Sequence, residues 1–510
     1  MRKLLLLFVS VLFSTTIFAQ TAEIENVRKR EFRGVYPIIN KSTNEVKGYY
    51  TFYVNEKIGG GMIEFNIRIY DPELELVKET PITITKRSQV DGAEYNGQDF
   101  LFLFNDVMKK TLTYVTVDQE GEIITQESVK EEKYAGTTAD VFTANDGFYI
   151  VKPFKDKKWG YKIRKIDNEL NELWEVERTV EKGMIFVEAV ESGNGRIIII
   201  EVKKKALLSA KAQANILCLD DETGDEIYSY SLFDGTDICM PTAFLIDENL
   251  NVVTGGMYFE GEKWDAVNSD GIFFLKLDAE GEQISFAKYD WDKNIQSILK
   301  STIKNDFRMG SKPKVIFHEI VEMEGGEYRI IGETFTKNYQ MISSGLKDAI
   351  TGRFIGDINS NSNNNKPYTF EILDFVLFKF NNDADMLDVV LIPKDHTKIS
   401  CYPPYNGMGG IRLAKAVKDF GFFNYAFVTT QEGSEEPLLV SANFLESDSY
   451  IGINTIDFER VSEMHKIPIK RKTFKNGSIG VMFSKPGRVG VYLYSKKEET
   501  IYIYFEDIKL

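Results

Sequence analysis

Histidine, cysteine and proline are all scarce in this 510-residue chain, and the first two scarcities each close off a class of chemistry. The three histidines, His318, His396 and His465, lie far apart in sequence. His318-Glu319 starts like a zinc-binding helix, but Glu322 stands where the second histidine belongs. The flanking Val315-Ile-Phe and Ile320-Val321 read as a strand, so His318 is expected to be a structural strand histidine. Three cysteines, Cys218, Cys239 and Cys401, are too few and too scattered for a disulfide framework and are expected to be buried free thiols. Neither a Gly-x-Ser-x-Gly elbow, a phosphate-binding loop nor an EF-hand loop occurs. Basic residues are also in deficit, 62 Lys plus Arg against 77 Asp plus Glu, for a net charge of −15. That balance argues against a nucleic acid or anionic membrane held by general electrostatics, since both are negative. Against 13 prolines stand 36 Phe and 25 Tyr, an aromatic loading that favours strands.

The chain opens with Met1, Arg2 and Lys3, then an apolar run from Leu4 to Phe13 and a small residue at Ala19. A basic start, an apolar stretch too short to span a bilayer and a small residue at the cut site describe a signal peptide over 1–19. The expected mature chain starts near Gln20 with a charge of about −17, since Arg2 and Lys3 are removed. No cysteine follows the run to carry a lipid, and no later stretch reaches about 18 apolar residues. The expectation is a soluble exported monomer, without a transmembrane segment, in the periplasm or at the cell surface.

Self-similarity decides the fold class. Acidic turns recur as Asp71-Pro-Glu-Leu-Glu75, Asp118-Gln-Glu-Gly-Glu122, Asp167-Asn-Glu-Leu-Asn171, Asp220-Asp-Glu-Thr-Gly224, Asp278-Ala-Glu-Gly-Glu282 and Asn381-Asn-Asp-Ala-Asp385. From Asp71 to Asp278 the spacings are 47, 49, 53 and 58 residues. Asp and Asn suit such sites because they cap the turn's own amides, while Gly accepts the left-handed position. A second turn recurs at Asn96-Gly97, Asn145-Asp-Gly147, Gly193-Asn-Gly195, Asp247-Glu-Asn249, Glu324-Gly-Gly326, Glu432-Gly-Ser434 and Asn476-Gly477, each followed by an apolar strand. With Tyr49-Tyr-Thr-Phe-Tyr53 the unit has eight copies of about four strands each. This is the layout of an all-β fold, a β-propeller of seven to eight four-stranded blades in a single domain over 20–510. The number depends on whether the first and last copies share one blade through a closing strand. Runs such as Ile197 to Ile200 are apolar at every position, which suits strands buried on both faces and counts against an outer-membrane barrel, whose strands alternate.

The stretch Asn268-Ser-Asp-Gly-Ile-Phe-Phe-Leu-Lys-Leu-Asp-Ala-Glu-Gly-Glu282, with its fainter copy Leu373-Asp-Phe-Val-Leu-Phe-Lys-Phe-Asn381, resembles the repeat of secreted Gram-negative β-propellers of largely unassigned function. The resemblance implies a propeller fold and an exported address. It transfers no catalytic residue, because its motif specifies turns.

The copies are unequal. Extra residues occur at about 291–313, 336–368 and 393–422. In a propeller the second-to-third loops and the blade-to-blade connections lie on one face, and all three insertions map there. Ile295 to Ile303 has the apolar spacing of a short helix, and Ile411 to Lys418 reads as a second. Asn359 to Asn365 is a polar tip. Gly407 to Gly410 could present amides to an anion, and the acidic turns lack full calcium-ligand spacing, so no metal or cofactor is expected. The candidate ligand face comprises Trp159, Trp264, Tyr339, His396, Tyr402 and Tyr405, aromatics able to stack on sugars or anchor a protein. Asp395-His396 reads as a solvated loop pair.

Together these features predict a non-enzymatic binding or scaffold protein of the cell envelope, with an envelope protein or glycan as partner. The alternative is a carbohydrate-active enzyme with glycosidase-like carboxylates in an axial pocket. A purely structural envelope component is a third reading.

Overall fold

The computed structural model describes residues 21–27, 32–40, 45–130, 139–155, 158–206, 209, 211–261, 269–298, 314–339, 354–355, 368–403, 405, 408, 410–443, 449–458, 464–469 and 478–510. The signal segment expected over 1–19 lies outside them, as do Trp264 and the polar tip 359–365.

Eight antiparallel sheets follow one another along the chain. Blade 1 spans 32–85, blade 2 89–130, blade 3 140–179, blade 4 184–231, blade 5 237–290, blade 6 314–392, blade 7 425–468 and blade 8 478–507 with Thr21–Ile24. Each pair of neighbouring blades shares one apolar core. Phe52, Phe65, Phe102 and Phe104 fill the joint of blades 1 and 2, and Phe274, Phe317, Phe378 and Phe380 that of blades 5 and 6. This sandwiching is why the second strands are apolar at successive positions. Leu101 through Phe104 and Ile197 through Ile200 are all buried, some toward one neighbour and some toward the other. Each such side chain contributes about 1.5–3 kcal/mol on burial, so the ring is held by repeated joints rather than a central core.

The number of blades is eight: the first and last copies form separate blades, and the strand that closes the ring comes from residues ahead of the first copy. Thr21–Ile24 forms the outermost strand of blade 8, pairing with Ile501 to Tyr504, and Val27 N–H donates to the Glu499 carbonyl at 2.6 Å. The chain's two ends thereby lock the ring. One expectation needs correction. Ser478–Met482, after Asn476-Gly477, is the innermost strand of blade 8 and not its second, because the N-terminal strand takes the fourth place and shifts the unit by one strand.

The acidic turns form as the residues dictate. Asp71 Oδ1 accepts from the amides of Glu73 (2.9 Å) and Glu75 (2.8 Å), and Asp278 Oδ1 from those of Glu280 (3.0 Å) and Glu282 (2.8 Å). Asp167, Asp220 and Asn381 repeat the pattern. The left-handed position is glycine in only three of the six. Leu74 (φ 65°), Leu170 (φ 71°) and Ala384 (φ 67°) occupy the others. Strain of about 1–2 kcal/mol there is offset at Leu74 and Ala384 by burial in the joints of blades 8–1 and 5–6.

The insertions rise from one side of blade 6. Its second strand, Glu327–Tyr339, and third, Tyr368–Phe380, are long, and past the ring the third pairs with an added strand, Thr397–Cys401. Phe354–Ile355 runs parallel to that strand. The expected helix over Ile411 to Lys418 forms as α1, Gly410–Asp419. Gly421 (φ 68°) ends it, with its N–H on the Lys418 carbonyl at 2.8 Å and that of Phe422 on Val417 at 3.2 Å. The helix expected from Ile295 begins, with 296–298 helical, and is led in by a π-helical turn, Trp291–Ile295, that buries Trp291 and Ile295 in the joint of blades 5 and 6. The remainder, 299–313, lies outside the described residues.

Candidate functional site

Helix α1 does not lie over the rim. It is drawn to the axis of the ring by its apolar residues. Ile411 enters the core of blades 4 and 5, while Leu413, Ala414 and Val417 pack on Ile316, Phe370 and Ile399 of blade 6 and its extension. The opposite face carries Arg412, Lys415 and Lys418, three residues apart and so aligned along the helix. That face and the innermost strands of blades 4, 5 and 6 enclose a cavity of about 410 Å³. Glu188, Thr242, Phe244 and Ile316 form its wall, and Met408 and Arg412 lie on the insertion side.

The wall is shaped by β-bulges. The innermost strands Met184–Gly193, Asp237–Ile246 and Lys314–Met323 each slip register by one residue, at Glu188, Thr242 and His318. A bulge turns one extra side chain out of the ladder. Glu188 uses this to meet Lys415 Nζ at 2.8 Å, tying the helix to blade 4. Thr242 Oγ1 accepts from the Phe317 amide at 3.2 Å, joining blade 5 to blade 6. The bulged residues lie four or five positions before their strands end, a regularity present in the sequence but invisible without the pairing.

Charge at the axis is divided. Burial lowers the pKa of Lys418, helped by Lys415 and opposed by Asp419, Glu319 and Glu191. Burial raises Asp419, against the pull of Lys415 and Lys418. Asp140 of blade 3 is raised too, first by desolvation and then by Asp91 and Asp419, so carboxylates of blades 2 and 3 face the helix end. Desolvation pushes Glu319 up to about 7, with Lys418 opposing, and the Tyr425 hydroxyl donates to that carboxyl. His318 stacks on Tyr425, ring centroids 4.8 Å apart, with Glu333 at 3.4 Å, and serves as the strand histidine its flanks predict. Among the described residues no group of three His, Cys, Asp or Glu could hold a metal ion.

The residues singled out by sequence are not gathered into one place. Trp159 is half-buried in blade 3, under the Lys155 ammonium at 4.6 Å from its ring, three blades away from the extension of blade 6. Tyr339 ends the second strand of blade 6. His396 is exposed, 3.4 Å from Asp374, while its neighbour Asp395 pairs with Lys466 at 2.8 Å. Tyr402 corrects the expectation of a surface aromatic. It is 5% exposed, and its N–H donates to the Ile355 carbonyl at 2.8 Å, because the added strand needs apolar cover. Tyr405 is half-buried, edge-on to Phe420 at 5.6 Å. Cys218, Cys239 and Cys401 are buried free thiols as expected, and burial pushes the latter two up to about 12.

Among solved structures the chain is similar to the quinohemoprotein alcohol dehydrogenase from Comamonas testosteroni, at 11% identity over 96% of this chain and 78% of that one, TM-score 0.41. It is similar to the WD40 domain of SCAP from fission yeast, at 6% identity over 96% of both chains, TM-score 0.40. The β-propeller domain of the Trilobed protease from Pyrococcus furiosus matches at 8% identity over 89% and 98%, TM-score 0.38. No curated protein matches the sequence. The sequence matches the Family of unknown function (DUF6770) over residues 1–509, and the chain belongs to that family.

Proposed function

We propose that the protein is an exported, non-enzymatic binding protein of the cell envelope that holds a partner on the face where blade 6 is extended. The observation that carries this is the placement of α1. Two separate insertions pack into one body whose helix closes the axis over a cavity of about 410 Å³ with a basic face. Propellers present loops from a rigid frame, and residues added on one face enlarge the surface there. The basic start, apolar run and Ala19 support export. Among the described residues no helix is long and apolar enough to cross a membrane.

The test is photocrosslinking in intact cells with a reactive side chain at Ala416 or Phe420, against a control at Glu127, exposed midway along the outermost strand of blade 2 and on neither face. A discrete adduct from the first two positions supports the reading, and its absence from both removes it. Fractionation and the mass of the mature N-terminus check export. A second reading, a carbohydrate-active enzyme, is favoured by Glu319, a carboxyl held near 7 beside Tyr425 at the axis, as a general acid requires. Hydrolysis of aryl glycosides that is lost in Glu319→Gln supports it, and no turnover across a panel removes it.

A further inference from the structure

The face opposite the insertions carries a pattern that the folding of the blades does not account for. In every blade whose third-to-fourth turn is fully described, blades 1 to 6, the start of the outermost strand leaves an aliphatic side chain in solvent. These are Val77, Ile124, Leu173, Ile227, Ile284 and Leu387, between 36% and 56% exposed. The residue that follows is the one used for packing. Trp174 lies against Gly224 of the next blade's turn, Tyr228 against Gly281, and Lys78 against Gly121. Blade-to-blade contact at this height is thus satisfied by one side of the strand, and the aliphatic side is left without a role in the ring.

The turns of this belt are acidic, although four of their acids are met from neighbouring elements: Glu73 by Lys485 at 2.6 Å, Glu122 by Lys78 at 2.5 Å, Glu172 by Arg164 at 4.0 Å and Glu226 by Arg178 at 2.8 Å. The six segments 71–77, 118–124, 167–173, 220–227, 278–284 and 381–387 hold 19 Asp and Glu and not one Lys or Arg. The whole chain has 62 basic and 77 acidic residues, so without these turns it would have 62 against 58. The turns therefore carry more than the entire net negative charge. An exposed acid, Glu75, Glu122, Glu172, Glu226, Glu282 or Asp385, precedes each aliphatic residue by one or two positions. The first Asp or Asn of each turn is needed for capping, and of the later acids Glu75, Glu282 and Asp385 are held by no basic side chain among the described residues.

An anionic membrane is repelled by such a rim, and so is a second copy approaching by the same face. A basic polypeptide with apolar side chains complements both features at once, because its cations meet the acids and its apolar groups cover the belt. We infer that the acidic turn face is a docking surface for a cationic polypeptide segment carrying regularly placed apolar side chains. It is independent of the face proposed above for the first partner, and gives the ring two working sides.

The test uses the full mature chain and fluorescence anisotropy with a labelled peptide of repeated Lys-Gly-Leu triplets, beside a Lys-Gly-Ser peptide of equal charge. The Leu peptide should bind more tightly, and binding should weaken as salt rises. The triple variant Val77→Ser, Leu173→Ser, Ile284→Ser should bind the Leu peptide about tenfold less well, close to the Ser peptide's affinity. Should that variant melt lower than the parent, Glu75→Gln, Glu120→Gln, Glu282→Gln answers the same question, with a comparable loss and a shallower salt dependence. Equal binding of both peptides, unchanged affinity in either variant, or no binding at low salt overturns the inference. So does binding to phosphatidylglycerol vesicles in place of the peptide, or self-association in sedimentation that the Ser variant abolishes.

Discussion

Glu333 is the residue whose removal says most about how the ring is held together. It lies in the second strand of blade 6, is 0% exposed, and reaches the first strand of blade 7. Its carboxylate accepts the amides of Asn424 at 3.3 Å and Tyr425 at 2.5 Å, with Lys394 Nζ at 3.3 Å and His318 Nε2 at 3.4 Å. Burial raises its pKa, but Lys394, His318 and the backbone donors outweigh this and hold it below the ordinary value. Glu333→Gln keeps the shape and one acceptor oxygen while withdrawing the charge. The Lys394 ammonium is then left buried with the Asn424 amide oxygen at 2.7 Å as its main partner. Breaking a buried pair from one side costs about 3–5 kcal/mol. Unfolding entropy of ~2.1 cal/mol/K per residue over 510 residues makes each kcal/mol about 1 °C, so the melting temperature should fall by about 3–5 °C. Calorimetry of the single variants and of Glu333→Gln with Lys394→Met gives the coupling, and the double variant should lose less than the two single losses together. The sign with pH follows from the depressed pKa. Stabilisation by Glu333 is present above its unfolded value near 4.5 and lost as pH falls through the folded value, so the difference from wild type should shrink at pH 3. A melting temperature within 1 °C of wild type, or purely additive losses, would refute the reasoning.

His318 is buried with its pKa lowered, chiefly by desolvation, so below about 6.5 the unfolded chain binds more protons and stability falls with pH. Urea midpoints from pH 7 to 5 should drop in wild type and change less in His318→Gln. Glu319 works the other way, since a carboxyl raised to about 7 stabilises fully below 4.5 and loses this as pH rises, so Glu319→Gln should gain on wild type between pH 5 and 8. Gly256→Ala should destabilise by about 1–3 kcal/mol, measured by denaturant titration, because its Cβ would lie 2.1 Å from the Met240 carbonyl oxygen. Ile24→Ala in the closing strand should cost about 2–5 kcal/mol and speed hydrogen exchange in blade 8 first, since Ile24 is wholly buried at the blade 8–1 joint.

What the sequence determined by itself was whatever depends on near neighbours. The turns at Asp71, Asp118, Asp167, Asp220, Asp278 and Asn381 were legible because a side chain two to four residues from the amides it caps needs no distant partner. The apolar runs of the second strands declared burial on both sides, and with the turns they specified blades. Helix α1 was legible from Ile411 to Lys418 for the same reason. Tertiary structure decided the rest. The place of α1 depends on Ile411 finding the joint of blades 4 and 5, more than 100 residues away in the chain. The bulges at Glu188, Thr242 and His318 depend on strand register, which only pairing defines. Tyr402 was read as a surface aromatic and became core because two insertions, separate in sequence, met to form a strand pair above it. The N-terminal strand's place in blade 8 depended on closing a ring, a condition imposed by the whole circumference and by no local segment.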